Sequence, residues 1–480
     1  MPTRTVVIIG GGIAGLAAAV RLIQLGIQPV ILEKRPFLGG RAYSFTDTET
    51  GIEIDNGQHV FVGACDQFQQ YISDIGASDQ IALGKRIGFP VLKSGKTSWL
   101  KARKLPGLLS NLSALLGYRH VGMIGKLRIL WGLLSIKLTR LSPSSHTDSY
   151  HDLTTFDDWL RDHWQNNETI QNFWNLIILP SLNDDITAVS AHTSISLFKV
   201  ALLGSARNPA MGIPLSGLST LVGDNARRFI EANGGEVRTG IDVKSLHIAD
   251  GAIKGVRTAG EELIEGEAVI AAVPAAVMTQ LIPVGSDGPD DFFTAAESVR
   301  SAPIVAVHIW YDRPVLAEKF VAVLDSPLQW VFNDTELKTQ NGDASNGDAR
   351  RGNTQHVVIS LSSAWEWQDR SKAELRDIFT TEMEKVFPAA RSANIDRFTV
   401  VKMLEATFRV TPGSRKSRLP QRTPLPGFYL AGDWTDTGWP STMESAVRSG
   451  NLAAGYIAED IGTGTRGRDD LLNSDSGVST

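Results

Sequence analysis

The first forty residues carry two buried apolar runs. Val6, Val7, Ile8 and Ile9 form a short β-branched run bounded by glycines, the pattern of a strand covered on both faces. A helix follows at once, and Val30, Ile31 and Leu32 make a second strand ending in Glu33. Similar signals recur far downstream. Ile213-Pro214-Leu215-Ser216-Gly217-Leu218 opens a helix to Ala232, and Asn233-Gly234-Gly235 turns into a strand predicted over 236–243. Further strands are predicted at 303–311, 329–332 and 356–361. Near the C-terminus Phe428-Tyr429-Leu430-Ala431 runs into Gly432-Asp433, and a loop then enters a helix with Pro440 at an early helical position.

The glycines between the first strand and helix give this pattern a chemistry. Gly10, Gly12 and Gly15 have the spacing G-x-G-x-x-G, with Ile13 and Ala14 at the helix start. The first permits a tight turn, the second admits a pyrophosphate close to the backbone, and the third allows close helix–strand packing. The positive helix end receives the phosphates, and Glu33 accepts hydrogen bonds from the ribose hydroxyls of an adenosine. A few residues on, Gly39-Gly40-Arg41 resembles the G-G-R/K loop of flavoproteins of the amine oxidase and carotenoid desaturase type.

That resemblance implies FAD as cofactor, with the loop amides and Arg41 against its pyrophosphate. It implies that Asp433 takes the ribityl or pyrophosphate region and that Val243 packs on the adenine. Lys34, Gly57, Gln58, His59, Met443 and Glu444 complete the expected FAD contacts, although Glu444 reads equally well as a first-turn partner of its own helix dipole. The implied fold is α/β: a Rossmann-type, discontinuous FAD-binding domain (1–85, 212–290 and 424–462) with an inserted α+β substrate domain (86–211 and 291–423).

Length and composition fit this organisation. The chain has 480 residues, 42% of them hydrophobic, enough for two domains or one intertwined pair. Cys65 is the only cysteine, which excludes an intramolecular disulfide and a cysteine metal cluster, and no metal-ligand spacing such as His-Glu-x-x-His occurs. A cytoplasmic location is expected, because the first strand begins too close to Met1 for a cleaved signal peptide.

The net charge of −5 hides an asymmetry: between Gln80 and Thr147 there is no acidic residue, while Lys101, Arg103, Lys104, Arg119, Lys126, Arg128, Lys137 and Arg140 fall inside. Leucine and isoleucine interleave these charges, so a basic amphipathic part at about 101–140 is expected to lie on an anionic membrane, peripheral on its inner face. Nucleic acid is disfavoured, because stacking aromatics do not fill the gaps. The uncharged run from Leu105 to Tyr118 is too short to span a bilayer. Residues 341–348 read as a hairpin insertion, and the tail beyond Ile461 as disordered.

The stretch Asp55-Asn56-Gly57-Gln58-His59, with Glu405-Ala406-Thr407-Phe408-Arg409 and Gly438-Trp439-Pro440, is similar to the hydroxysqualene dehydroxylase family, also described as squalene-associated FAD-dependent desaturases. The resemblance implies a C30 polyisoprenoid substrate whose allylic hydroxyl is removed reductively, giving squalene for hopanoid or related triterpene synthesis. Hydride comes from reduced flavin, and the electron donor is unidentified. Hydroxide is a poor leaving group, so an acid is needed. His59 is the candidate acid or polariser, and reads equally as a packed strand residue bonding backbone or flavin; Asp55, placed on the same strand face, orients it or contacts the cofactor. Arg409, which also reads as an ion-pair residue, and His308, which also reads as a packing residue, are weaker candidates. Alternatives are a carotenoid desaturase running hydride the other way, a flavin amine oxidase, and a prenyl-binding escort protein without redox chemistry. Retention of both Gly39-Gly40-Arg41 and Gly432-Asp433 argues against the escort.

Overall fold

The computed structural model describes residues 4–47, 51, 53–142, 150–205, 207–282, 290–338 and 354–462; the predicted insertion at 341–348 and the tail from 463 lie outside them. Val6, Val7 and Ile8 are fully buried, and their strand, Thr5–Ile9, is the centre of a five-stranded parallel sheet. Its order is Glu236–Thr239, Gln28–Glu33, Thr5–Ile9, Ala268–Ala271, Phe428–Leu430. Distant stretches of chain therefore build one doubly wound sheet.

Helix Ile13–Gln24 covers one face and is crossed by helix Met443–Asp460. The crossing is close: a Cβ on Gly450 would lie 2.8 Å from the Ala18 nitrogen. Pro440 precedes the second helix rather than opening it. Thr442 is the N-cap, its side chain accepting from the Ser445 N–H, a hydrogen bond that proline cannot offer.

The strand predicted over 236–243 ends at Thr239. Gly240, at φ +76°, turns the chain, and Val243 begins a separate antiparallel sheet running to Ala249. The turn is pinned to the second strand, because the Ile241 N–H donates to the Glu33 carbonyl at 2.9 Å.

A seven-stranded mixed sheet forms the second body, ordered Ile395–Phe408, Ser301–Tyr311, Gln355–Leu361, Trp330–Asn333, Phe320–Val323, Gly88–Lys93, Lys96–Lys101. Val305, Val307 and Ile309 pack under helix Lys372–Val386 with Leu375, Phe379 and Met383. The opposite face carries Ala306, His308, Trp310 and, on the paired strand, His356 and Val358. Val358 and Phe332 there join a cluster with Ile213 and Leu337 against which Val60 packs.

A helical part has a core containing Phe156, Trp159, Trp174 and Phe198, all at most 1% exposed, in a cluster that also takes in Val7 of the first sheet and Val91 of the second. Helix Met123–Leu138 is not the amphipathic element expected. Gly125, Ile129, Gly132, Leu133 and Ile136 face inward, yet Met123, Ile124, Leu127, Trp131, Leu134 and Leu138 face outward. Its outward face is mostly apolar, with Lys126, Arg128 and Lys137 among these side chains, the mark of a helix with a second apolar neighbour. Among the described residues no helix is long and apolar enough to cross a membrane.

Replacing Gly450 by valine forces the two crossing helices apart. A loss of about 1–3 kcal/mol is expected, read as a lowered thermal midpoint with a cooperative transition retained.

Candidate flavin and substrate site

The two glycine loops meet at the carboxyl edge of the parallel sheet. The Gly39 N–H donates to the Gly11 carbonyl at 2.9 Å, and Gly12 and Gly39 form a parallel bridge. Gly10 sits at φ +104°, where a Cβ would strike the Ala272 carbonyl oxygen at 2.5 Å. A Cβ on Gly12 would be 3.7 Å from Gly40 Cα, so the absence of side chains on both loops forms a narrow backbone cradle. Helix Ile13–Gln24 begins there with no capping side chain, its first residues Ile13 and Ala14 buried. Its free first-turn amides and positive end suit a pyrophosphate.

Glu33 ends the neighbouring strand with its carboxylate held by two backbone donors, Gly11 N–H at 2.7 Å and Arg35 N–H at 2.8 Å. Lys34 points away, largely exposed, and pairs with Asp242 at 3.5 Å. Val243 is buried just beyond the crossing at Ile241, on a different sheet from the one expected.

Arg41 and Asp433 form an ion pair, although they lie at opposite ends of the chain. Arg41 also donates to the Ala406 carbonyl at 3.1 Å, and Asp433 accepts from Ser441. The Gly432-Asp433 turn is held by a residue the sequence reading did not single out. Buried Arg418 donates to the carbonyls of Asp433 at 3.2 Å and Thr435 at 2.6 Å, and stacks its guanidinium over Phe408. Burial pulls its pKa down to about 10. Asn56 is a second such residue: its amide donates to the Arg41 carbonyl at 2.7 Å, tying the 53–57 segment to the glycine loop. The cradle, the acid at Glu33 and the Arg41–Asp433 pair together fit a flavin dinucleotide.

Other expected contacts are placed differently. Glu444 is fully buried and does not reach the cradle. Its carboxylate accepts from the Gln67 and Phe68 N–H groups at 3.2 and 2.8 Å and from Arg448 at 2.7 Å, so it caps helix Asp66–Asp74 and not its own. Burial raises its pKa. Met443 opens the C-terminal helix and packs on the core beneath the sheet.

Strand Glu53–Asp55 stops at Asp55, so Asp55 and His59 do not share a strand face as expected. Asp55 accepts instead from Ser44 Oγ at 2.7 Å and Leu218 N–H at 3.0 Å, and pairs with Lys338 at 3.3 Å. Gly57 is buried, and a Cβ there would be 3.7 Å from Ala306 Cβ, which puts this loop against the second sheet. Gln58 bonds the His59 carbonyl at 3.2 Å.

His59 Nδ1 lies 3.0 Å from the Gly57 carbonyl. A carbonyl only accepts, so the proton sits on Nδ1 and Nε2 presents a lone pair. Burial lowers the ring's pKa. His59 is therefore built as an acceptor, not as the acid expected from the sequence. Arg409 is an ion-pair residue, 2.5 Å from buried Asp184 and over the Trp365 ring. Burial pushes the Cys65 thiol up to about 12, which makes it inert.

The chain is 27% identical over 471 residues to 15-cis-phytoene desaturase of Capsicum annuum, covering 95% of this chain and 78% of the relative. It is equally, 27%, identical over 466 residues to hydroxysqualene dehydroxylase of Rhodopseudomonas palustris, covering 95% and 98%. Cyclohexylamine oxidase from Brevibacterium oxydans shares the fold with a TM-score of 0.67 at 17% identity, over 96% of this chain and all of that one.

Arg41→Ala leaves Asp433, whose side chain is 5% exposed, without its cation. Loss of a charge-assisted contact worth about 1.5–3 kcal/mol raises the dissociation constant for FAD roughly 10- to 100-fold, measured by titrating the flavin-free protein and following flavin fluorescence.

The description of flavin containing amine oxidoreductases matches residues 13–458, and the chain belongs to that family as an FAD-dependent oxidoreductase.

Proposed function

We propose that this enzyme removes the hydroxyl group of hydroxysqualene reductively, releasing squalene. The carrying observation is the face of the seven-stranded sheet that covers the Gly57–Val60 loop. Val358, Phe332, Trp330 and Phe320 make it apolar, and one buried polar group interrupts it, the pair His308 and His356. That surface suits a long hydrocarbon with a single hydroxyl. Bound FAD in its reduced form supplies the hydride. The chain's own part is to hold the hydrocarbon, exclude water and place a proton at the hydroxyl oxygen.

The outward face of helix Met123–Leu138 supports a lipid-borne substrate. Met123 and Ile124 are each 72% exposed, and Leu109 and Leu116, earlier in the chain, are exposed as well. Lys101, Arg103 and Lys104 lie exposed on the preceding segment. Apolar patches of this extent mark an interaction surface, and basic residues beside them favour an anionic bilayer at about 1 kcal/mol each. We assign this face to the membrane.

Two experiments test the reading. Protein reduced anaerobically and mixed with hydroxysqualene in liposomes is expected to reoxidise its flavin with squalene formed. A flavin that stays reduced, together with reduction of the oxidised enzyme by phytoene, would establish the desaturase reading that the phytoene desaturase relatives favour. For the membrane, Ile124→Asp with Leu127→Asp is expected to weaken partitioning onto anionic vesicles at least tenfold, and reversal of Lys101, Arg103 and Lys104 to make the remainder insensitive to salt. Unchanged vesicle sedimentation would reject the membrane face.

A further inference from the structure

Hydroxide departure needs a proton, and His59 is wired to accept one. A second histidine, on the sheet that abuts the Gly57 loop, is wired differently. His308, 1% exposed, lies on the same face of its strand as Ala306, the residue that abuts Gly57. Its Nδ1 is 3.1 Å from Nε2 of His356, and Nδ1 of His356 is 2.9 Å from the Asp334 carboxylate. Asp334 pairs with Lys338 at 3.1 Å, and Lys338 reaches Asp55 at 3.3 Å. The Trp310 indole stacks on the His356 ring at 4.0 Å with 4° between planes, fixing its orientation. At the far end of this chain Nε2 of His308 is buried with no hydrogen-bond partner.

Charge balance favours one placement of the protons. Asp55, Lys338 and Asp334 sum to one negative charge in a buried setting, where an uncompensated charge is costly. With both nitrogens of His356 protonated, the group would be neutral. Doubly protonated, His356 donates Nδ1–H to Asp334 and Nε2–H to Nδ1 of His308. His308 must then carry its own proton on Nε2, the one atom without a partner. Burial and the neighbouring His356 charge pull the His308 pKa well down, which keeps that ring neutral. Burial alone would raise the Asp334 carboxyl, but Lys338 and His356 outweigh it and hold it below the usual range.

Building on the hydroxysqualene reading, we propose that His308 Nε2–H is the acid that protonates the departing hydroxyl and that His356 is the proton reservoir behind it. As the C–O bond breaks with its electron pair on oxygen, the Nε2 proton completes a water molecule and an allylic cation remains. The proton on His356 Nε2 passes to His308 Nδ1, and Asp334 stays ionised beside Lys338. Reduced FAD, held by the glycine cradle and the Arg41–Asp433 pair, would supply as two-electron reductant the hydride that closes the cation as a C–H bond. One solvent proton resets His356.

The test is a single turnover of reduced holoenzyme with hydroxysqualene. His308→Gln keeps an amide donor but no transferable proton, and flavin reoxidation is expected to slow roughly 10²- to 10⁴-fold with FAD still bound. His356→Gln is expected to convert a curved, two-proton solvent-isotope inventory into a linear one, which a merely structural role would not do. Two measurements need only wild-type protein. Its inventory should be curved, and ¹⁵N-histidine NMR should show His308 protonated at Nε2 and His356 at both nitrogens. A His308→Gln rate within twofold of wild type, a linear wild-type inventory, or a bare His308 Nε2 would each overturn the relay. Failure of wild type itself to consume hydroxysqualene would instead reject the function on which it rests.

Discussion

The central strand must be paired on both edges, and the rest of the fold follows from that. Val6, Val7 and Ile8 are sealed from water, so their backbone N–H and C=O groups need protein partners on each side. Gln28–Glu33 supplies one edge locally, but Ala268–Ala271 must supply the other, and its own far edge is covered by Phe428–Leu430. The strands are parallel, so every inserted segment departs from the carboxyl edge, where Gly10, Glu33, Ala272 and Gly432 lie. Ligands of doubly wound sheets bind at that edge. The substrate elements consequently start beside the cofactor cradle, and Arg41–Asp433 joins the first departure to the last return.

The second sheet is tied to this edge by charge instead of by strand pairing. Asp55 has one oxygen on Leu218 N–H and Ser44 and the other on Lys338, which also holds Asp334. Burying three ions in series is costly in desolvation and is repaid only when each remaining lone pair is met. Burial would lower the Lys338 pKa, yet Asp334 and Asp55 raise it above the ordinary value, so the ammonium stays charged. Adjacent Asn56 faces the other way, onto the Arg41 carbonyl. Two consecutive side chains thus connect the cofactor loop to the substrate wall.

What the sequence makes legible is what local physics determines. The strand–helix–strand unit, the glycine cradle, Glu33 and the Phe428–Leu430 strand depend on neighbours within a few residues, and each lies where the pattern puts it. Pairings across the chain leave no local trace. Glu444 resembles a first-turn acid of its own helix, but its acceptors are met by Gln67 and Phe68, hundreds of positions earlier. Val243 continues an apparently unbroken strand, and only Gly240 marks the turn. Asp55 and His59 have strand spacing, but Asn56 and Gly57 bend away between them. His356 and Asp334 flank residues that resemble a plain hairpin, so nothing in their spacing announces a relay.

A relay suits cation chemistry better than a lone carboxylic acid would. A carboxyl that gave up its proton would stand as a nucleophilic carboxylate beside an allylic cation. With His308 and His356 in series, the ring nearest the substrate is neutral before and after transfer. The change in charge appears further back, where His356, Asp334, Lys338 and Asp55 together pass from overall neutrality to one net negative charge as the substrate becomes positive. A fixed buried group that gains negative charge in step with a cation stabilises the transition state without solvent reorganisation. Trp310, stacked on His356, also carries the Arg397 guanidinium 5.4 Å from its ring centre. Arg397 is itself paired with Asp47, so its charge is met away from the relay.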